Sequence, residues 1–332
     1  MSNIYNYVII HLGDFMDRIL LITHDADMDG MGCAILANII FDNLDVIYTN
    51  PDDLESILLD LINSKKHLEY KEIFITDLGL RNNCYEIIES NLKDKLLHLD
   101  HHQTDKSYSW STVLIDIEGF KPSATSIFYD YLLDRFKDNE ILKKDSTSEL
   151  VEAIRSYDTY QFKQTGNMLG YKLTNVFVNI ERSKLLHSIL ERLYSNDTSF
   201  NLTDEEIKIN DRCDKELEEY LDYCDKSLIR IKFLDYNVGL SISNKYRSSV
   251  GNLLSEKYKD ELDFILIADY ERESFSIRTV NDINVGNIAA TLGGGGHDKA
   301  AGFPMNDETL KLTSPYFDRN ILNKLKNEEK TN

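Results

Sequence analysis

A doubly wound α/β domain built on a parallel sheet, joined by a helical linker to a smaller α/β domain, is the fold this 332-residue chain predicts. Three observations predict it. Short apolar runs at residues 18–24, 45–50, 72–77, 96–100 and 110–116 are separated by segments that can hold crossover helices. The runs at 18–24, 72–77 and 96–100 end in histidine or acid, and in such sheets ligand sites lie at the carboxyl ends of strands. Beyond a charged helical stretch at 203–229 the texture changes to short strands.

Taken in order, Arg18 to His24 (RILLITH) reads as a buried strand running straight into Asp25-Ala26-Asp27-Met28-Asp29-Gly30, and Met31 to Phe41 as a helix. Asp45 to Asn50 is a second strand, and Pro51 stands just before a helical pattern, where its missing N–H costs least. Glu72 to Asp77 (EIFITD), Leu96 to Asp100 and Trp110 to Asp116 (WSTVLID) supply three more. From Pro122 to about Arg192 the pattern is mostly helical, and an amphipathic stretch beginning near Ser146 ends at Asp158. An Asp at a helix boundary is usually a cap or a surface acid, so Asp158 gains meaning only from its company. Residues 203–229 read as a helix of about 25 residues, about 40 Å long. The expected domains are therefore 1–200 and 230–332, with a linker at 201–229. The second domain shows strands at Ile229–Leu234, Val238–Ser243, Phe264–Ala268 and Ser274–Val280, a helix from Val285 to Leu292, and a closing helix from Phe317 to Asn332.

Composition excludes some roles. At 42% apolar and 28% charged the chain is an ordinary globular protein, and no run approaches the roughly 20 apolar residues that span a bilayer. Cys33, Cys84, Cys213 and Cys224 are widely spaced, and the N-terminus carries Asp14, Asp17 and Arg18 with no long apolar core. Both features point to a reducing cytoplasm. A net charge of −20 is unsuited to gripping long nucleic acid through its phosphates, so any nucleic-acid substrate is short and held by local contacts and metal ions.

Asp25, Asp27 and Asp29 place three carboxylates within five residues, an arrangement that repels itself unless cations neutralise it. An EF-hand loop opens with the same spacing, but it needs a bidentate Glu at its twelfth position, which here is Leu36. With Asp77, His101 and Asp158 the donor set mixes oxygen and nitrogen, which suits manganese or a similar first-row metal better than calcium. Asp77, alone on its strand, is the candidate to bridge two metals about 3.5 to 4 Å apart, a spacing that suits in-line phosphoryl displacement. His102 is left to donate a proton to the leaving oxygen. A His-His pair by itself is more often a solvated turn, and a glycine run more often a flexible one. Gly293 to Gly296, followed by His297 and Lys299 and preceded by Ser276 and Arg278 on a strand, nevertheless forms a plausible phosphate and base pocket.

In order along the chain, Asp-x-Asp-x-Asp-Gly (25–30), Asp77, Asp-His-His (100–102), Asp158 and Gly-Gly-Gly-Gly-His (293–297) resemble the DHH phosphoesterase superfamily, the last element its DHHA1 domain. His24 to Cys33 followed by Ala-Ile-Leu-Ala is most similar to the B-type nano-RNases. The resemblance implies a hydrolase with two Mn2+ ions, other divalent metals being alternatives, and a C-terminal clamp on the substrate. Its metal ligands carry over onto His24 or Asp25, then Asp27, Asp29, Asp77, His101 and Asp158. His102 matches the acid, and Asp100 orients the histidines or completes a metal shell. Gly294, Gly295, Gly296 and His297 match the part that holds phosphate and sugar. Of the adjacent pair, the alternating spacing favours Asp25 over His24. The expected substrate is very short RNA or a linear dinucleotide, with no membrane partner, and with the oligomeric state open, a homodimer included. The alternatives are a RecJ-type single-strand DNA exonuclease and an inactive nucleotide sensor. A manganese pyrophosphatase fits the C-terminal motif less well. Nucleotide bisphosphate hydrolysis is compatible as a side activity.

Overall fold

The computed structural model describes residues 17–103, 108–195 and 198–318. The N-terminal reading ahead of Asp17 and the closing helix beyond Asp318 lie outside the described residues. The chain divides into two compact units, Met1–Asn210 and Asp211–Asn332.

The first unit alternates strand and helix: β1 (Ile19–His24), α1 (Met28–Ile40), β2 (Leu44–Thr49), α2 (Leu54–Asn63), β3 (Glu72–Thr76), α3 (Asn82–Asn91), β4 (Leu96–Asp100) and β5 (Ser111–Val113). All its strand pairs are parallel, in the order β2-β1-β3-β4-β5. Side chains alternate across β1. Ile19 and Leu21 join the core shared with α1, whereas Leu20 and Ile22 pack with Leu54, Leu58 and Ile88 on the other face. Fully burying each such side chain contributes about 1.5 to 3 kcal/mol, which is why these runs are nearly continuous in apolar residues. Helices then follow without strands: α4 (Ala124–Arg135), α5 (Asp145–Asp158), α6 (Phe162–Thr165), α7 (Leu169–Phe177) and α8 (Arg182–Tyr194). The chain reverses direction of travel across the sheet at β1, so the carboxyl ends of β1 and β3 flank the topological switch point.

Helix α9 (Asp204–Ser227) is 24 residues long, and the boundary between the two units falls inside it. The second unit holds β6 (Ile229–Phe233), β7 (Tyr236–Ile242), α10 (Arg247–Lys257), β8 (Phe264–Asp269), β9 (Ser274–Arg278), α11 (Val285–Thr291), β10 (Gly295–His297) and β11 (Ala300–Pro304). Its six-stranded sheet runs β10-β11-β9-β8-β7-β6, with only β7 and β8 parallel. Val238, Leu240, Phe264, Phe275 and Phe303 fill one face, and Leu254, Ile265 and Ile267 the other. Among the described residues no helix is long and apolar enough to cross a membrane, and no disulfide joins the cysteines.

Three local readings change. The first helix begins at Met28, three residues earlier than its apolar pattern shows, because the Asp27 carboxylate caps it by accepting from the Asp29 and Gly30 N–H groups. The fifth strand shrinks to three residues, and the glycine run contributes an edge strand, β10, instead of forming only a loop.

Candidate metal centre

The site is built where β1, β3 and β4 end. Asp27 leaves β1 as the cap of α1, its Oδ1 accepting from Asp29 N at 3.0 Å and Gly30 N at 3.1 Å. Gly30 is required by packing: a β-carbon there would stand 2.2 Å from the His24 carbonyl oxygen. Asp29 thus enters the helix and is 1% exposed, and its two carboxylate oxygens accept from Ala124 N (2.8 Å) and Thr125 N (2.9 Å) at the start of α4. Asp77 follows the last residue of β3 in a left-handed conformation, φ 56°, which Asp tolerates better than most residues. That twist sends its carboxylate back over the strand ends.

Around Asp77 the donors converge. His24 Nδ1 lies 2.9 Å from Asp27 Oδ2 and 3.5 Å from Asp77 Oδ2. His101 Nε2 lies 3.5 Å from Asp77 Oδ1, 3.4 Å from Asp158 Oδ2 and 3.7 Å from Asp29 Oδ2. In each of the groups His24/Asp27/Asp77, Asp29/His101/Asp158 and Asp77/Asp100/His101/His102 the donor atoms lie within 4.8 Å of one another. Asp158, the last residue of α5, is brought in from the helical region. Asp25 is left out of these groups: its N–H bonds Thr49 O and its carbonyl accepts from Arg182 Nη2 at 2.6 Å. Spacing favours Asp25, whereas the residue that ends β1 and faces Asp77 is His24.

The charges show what such a cluster lacks. The Asp27 and Asp77 carboxylates lift the His24 pKa to about 10. Burial opposes the charged form of His101, but Asp77, Asp29 and Asp158 outweigh it and raise that ring to about 9. Burial, with Asp77 and Asp158 nearby, pushes Asp29 well above the usual carboxylate range, and burial lifts Asp158 to about 6. Without cations the site gathers protons. Asp77 Oδ2 and Asp158 Oδ2 are buried and have no hydrogen-bond partner. Orphaned carboxylate oxygens facing imidazoles, in an oxygen and nitrogen donor set, fit a divalent first-row metal.

Behind the donors stand residues that hold them in place, two of which, His98 and Arg182, sequence reasoning missed. His102 Nδ1 donates to Asp100 Oδ1 at 2.8 Å, and the buried Asp100 raises the pKa of that ring. His98, on the same side of β4 as Asp100, is 1% exposed; its Nε2 donates to Leu78 O at 3.0 Å and its Nδ1 accepts from Ser111 Oγ at 2.8 Å. It holds the carbonyl of Leu78, the residue after the left-handed Asp77. The one sequence signal was its position two residues before Asp100. Arg182, stacked 4.1 Å over Tyr48, carried no such signal because its partner Asp25 is 157 residues away. His98→Ala is expected to weaken divalent-metal binding by about 10- to 100-fold, as loss of a ligand-orienting partner does. Equilibrium metal titration checks this, and unaltered affinity would reduce His98 to a packing residue.

In the second unit, pairing sets Ser276, Gly302 and Gly295 in one row and Arg278, Ala300 and His297 in the next. A β-carbon on Gly295 would meet nothing within 4 Å, so the strip beside it is open. Gly294 packs against β11, Gly296 has φ 142°, and Lys299 Nζ donates to Asn281 O at 2.6 Å.

No family model matches the chain. The order of its motifs and the residues gathered at the strand ends resemble those of the DHH phosphoesterase superfamily. Among characterised relatives it is similar to Oligoribonuclease NrnB of Bacillus subtilis, 29% identical over 298 residues, which span 86% of this chain and 73% of that protein. Two solved structures share the fold. One is exonuclease RecJ bound to manganese, with a TM-score of 0.52 and 15% identity over 91% of this chain and 89% of that one. The other is the pGpG-specific phosphodiesterase PggH of Vibrio cholerae, with a TM-score of 0.51 and 14% identity over 93% of this chain and 99% of that one.

Proposed function

We propose that this chain is a phosphodiesterase that hydrolyses very short oligoribonucleotides, linear dinucleotides included, to mononucleotides, with two Mn2+ ions as its resident metals. The observation that carries this reading is Asp77, whose Oδ2 faces His24 and whose Oδ1 faces His101. One ion would be held by His24, Asp27 and Asp77, the other by Asp29, Asp77, His101 and Asp158. Bound divalent metals supply the activation of water and the neutralisation of phosphoryl charge that in-line displacement needs. The protein's own part is to hold these donors rigidly and to hand over a proton. Asp100 fixes the His102 ring through Nδ1, so Nε2 is the atom that delivers a proton to the leaving oxygen. Ser276, Arg278, the Gly294 to Gly296 strip, His297 and Lys299 would take phosphate and sugar. The similarity to an oligoribonuclease and the net charge of −20 both favour short substrates over long ones.

Purified protein with Mn2+ and end-labelled RNA of two to five nucleotides should yield mononucleotides, and chelation should stop the reaction. Absence of turnover, or a preference for long single-stranded DNA, would sink the choice of substrate.

Metal loading should also release protons. In the metal-free protein His24 and His101, at about 10 and about 9, are protonated at pH 7.5, and a metal takes only the neutral ring. Calorimetric titration with Mn2+ in buffers of different ionisation heat should therefore report release of about two protons, with affinity rising until pH passes these values. Loading without proton release would remove the imidazoles from the ligand set.

A further inference from the structure

The residue two places beyond Asp158 combines a left-handed backbone with an exposed aromatic ring. Thr159 ends α5 with its N–H on Arg155 O, and Tyr160 follows with its N–H on Tyr157 O and φ 62°. This position after a helix is where the left-handed backbone favours glycine and disfavours a side chain. Burial does not compensate, because Tyr160 is 63% exposed. Among the described residues its ring has a tilted neighbour, Phe162, at 5.9 Å, and the Lys163 ammonium 5.6 Å from its centroid.

The segment is nonetheless held firmly. Gln161 Nε2 donates to Gly119 O at 3.0 Å, and Arg155, which is 4% exposed, donates to Lys121 O at 2.9 Å while stacking 4.5 Å over Phe120. The turn so fastened exposes Phe120 as well. A rigid ledge with exposed aromatic rings and an ammonium beside one of them matches a ligand with a flat apolar face next to an anion. A backbone held in a disfavoured region beside a reactive centre is a pointer to function.

We propose that Tyr160 is a stacking platform for a nucleobase of the substrate, with Lys163 beside it for the attached phosphate. This rests on the oligonucleotide reading above and goes beyond it, since it assigns base binding to the first unit, next to Asp158. A stacked base on an aromatic side chain strengthens binding roughly tenfold or more.

The test compares wild type, Tyr160→Phe and Tyr160→Gly on a diribonucleotide and on its two singly abasic analogues. Wild type and Tyr160→Phe should favour the full dinucleotide over one abasic analogue by about tenfold in KM. In Tyr160→Gly that preference should shrink towards one while the thermal midpoint rises, because glycine relieves the left-handed backbone. A Tyr160→Gly protein that keeps the preference overturns the platform and leaves the oligonucleotide reading standing. So does a rise in KM equal for full and abasic substrates, which would show that the ring acts only through the Asp158 loop. Failure of wild type to cleave any of the three substrates overturns both readings.

Discussion

Replacing Asp77 by Asn is expected to cut kcat for a diribonucleotide by about a thousandfold or more, equivalent to about 4 kcal/mol of transition-state stabilisation. Asn is the informative substitution because it keeps the size of the side chain and tolerates φ 56°, whereas alanine adds backbone strain to the lost charge. Both oxygens of Asp77 face an imidazole, so an amide withdraws charge from both halves of the donor set at once. The metal-free variant should fold about as well as wild type. Removing the Asp77 charge relieves repulsion with Asp29 and Asp158 but also loses attraction to His24 and His101, and the two effects oppose each other. Kinetics with manganese titration and a melting curve check both halves of this expectation. Hydrolysis at the wild-type rate would end the two-metal assignment.

His102→Gln should lower kcat by about 100- to 10,000-fold, the usual worth of a positioned acid, while manganese still binds. Asp100 is 1% exposed and the His102 side chain 52% exposed, so the carboxylate anchors one nitrogen and leaves the ring accessible to a leaving group. The Asp100 hydrogen bond favours the charged ring and raises its pKa above 6.5. An acid must be protonated to act, so the rate should decline as pH rises through that raised value. Asp100→Asn removes the negative partner, lowers the His102 pKa and moves the alkaline limb to lower pH. A pH profile of kcat with the same alkaline limb in wild type and Asp100→Asn would show that another group supplies the proton.

Much of this centre was legible in the order of residues. A parallel sheet delivers every strand's carboxyl end to one edge, so the runs ending in Asp25 to Asp29, Asp77 and Asp100 to His102 had to meet there whatever their side chains did. The cluster of acids after β1 needed cations on charge alone. The failed twelfth position, Leu36, disposed of the calcium loop, and the choice of Asp77 as the central carboxylate came from its isolation on β3.

Tertiary structure decided what local periodicity leaves open. His24 and Asp25 are neighbours, and only the placement of Asp77 across the β1 to β3 pair sets a carboxylate facing His24. Asp29 reads as a free ligand in sequence, yet both its oxygens are also tied to the start of α4, 95 and 96 residues away. His98 looks like a polar interruption of a buried strand until Leu78 O and Ser111 Oγ arrive on either side of it. The sequence by itself determined which residue types reach the sheet edge, because strand polarity and apolar runs are local properties. Which atoms face one another there was settled by hydrogen bonds and backbone twists between distant segments, and those exist only once the sheet has closed around Asp77.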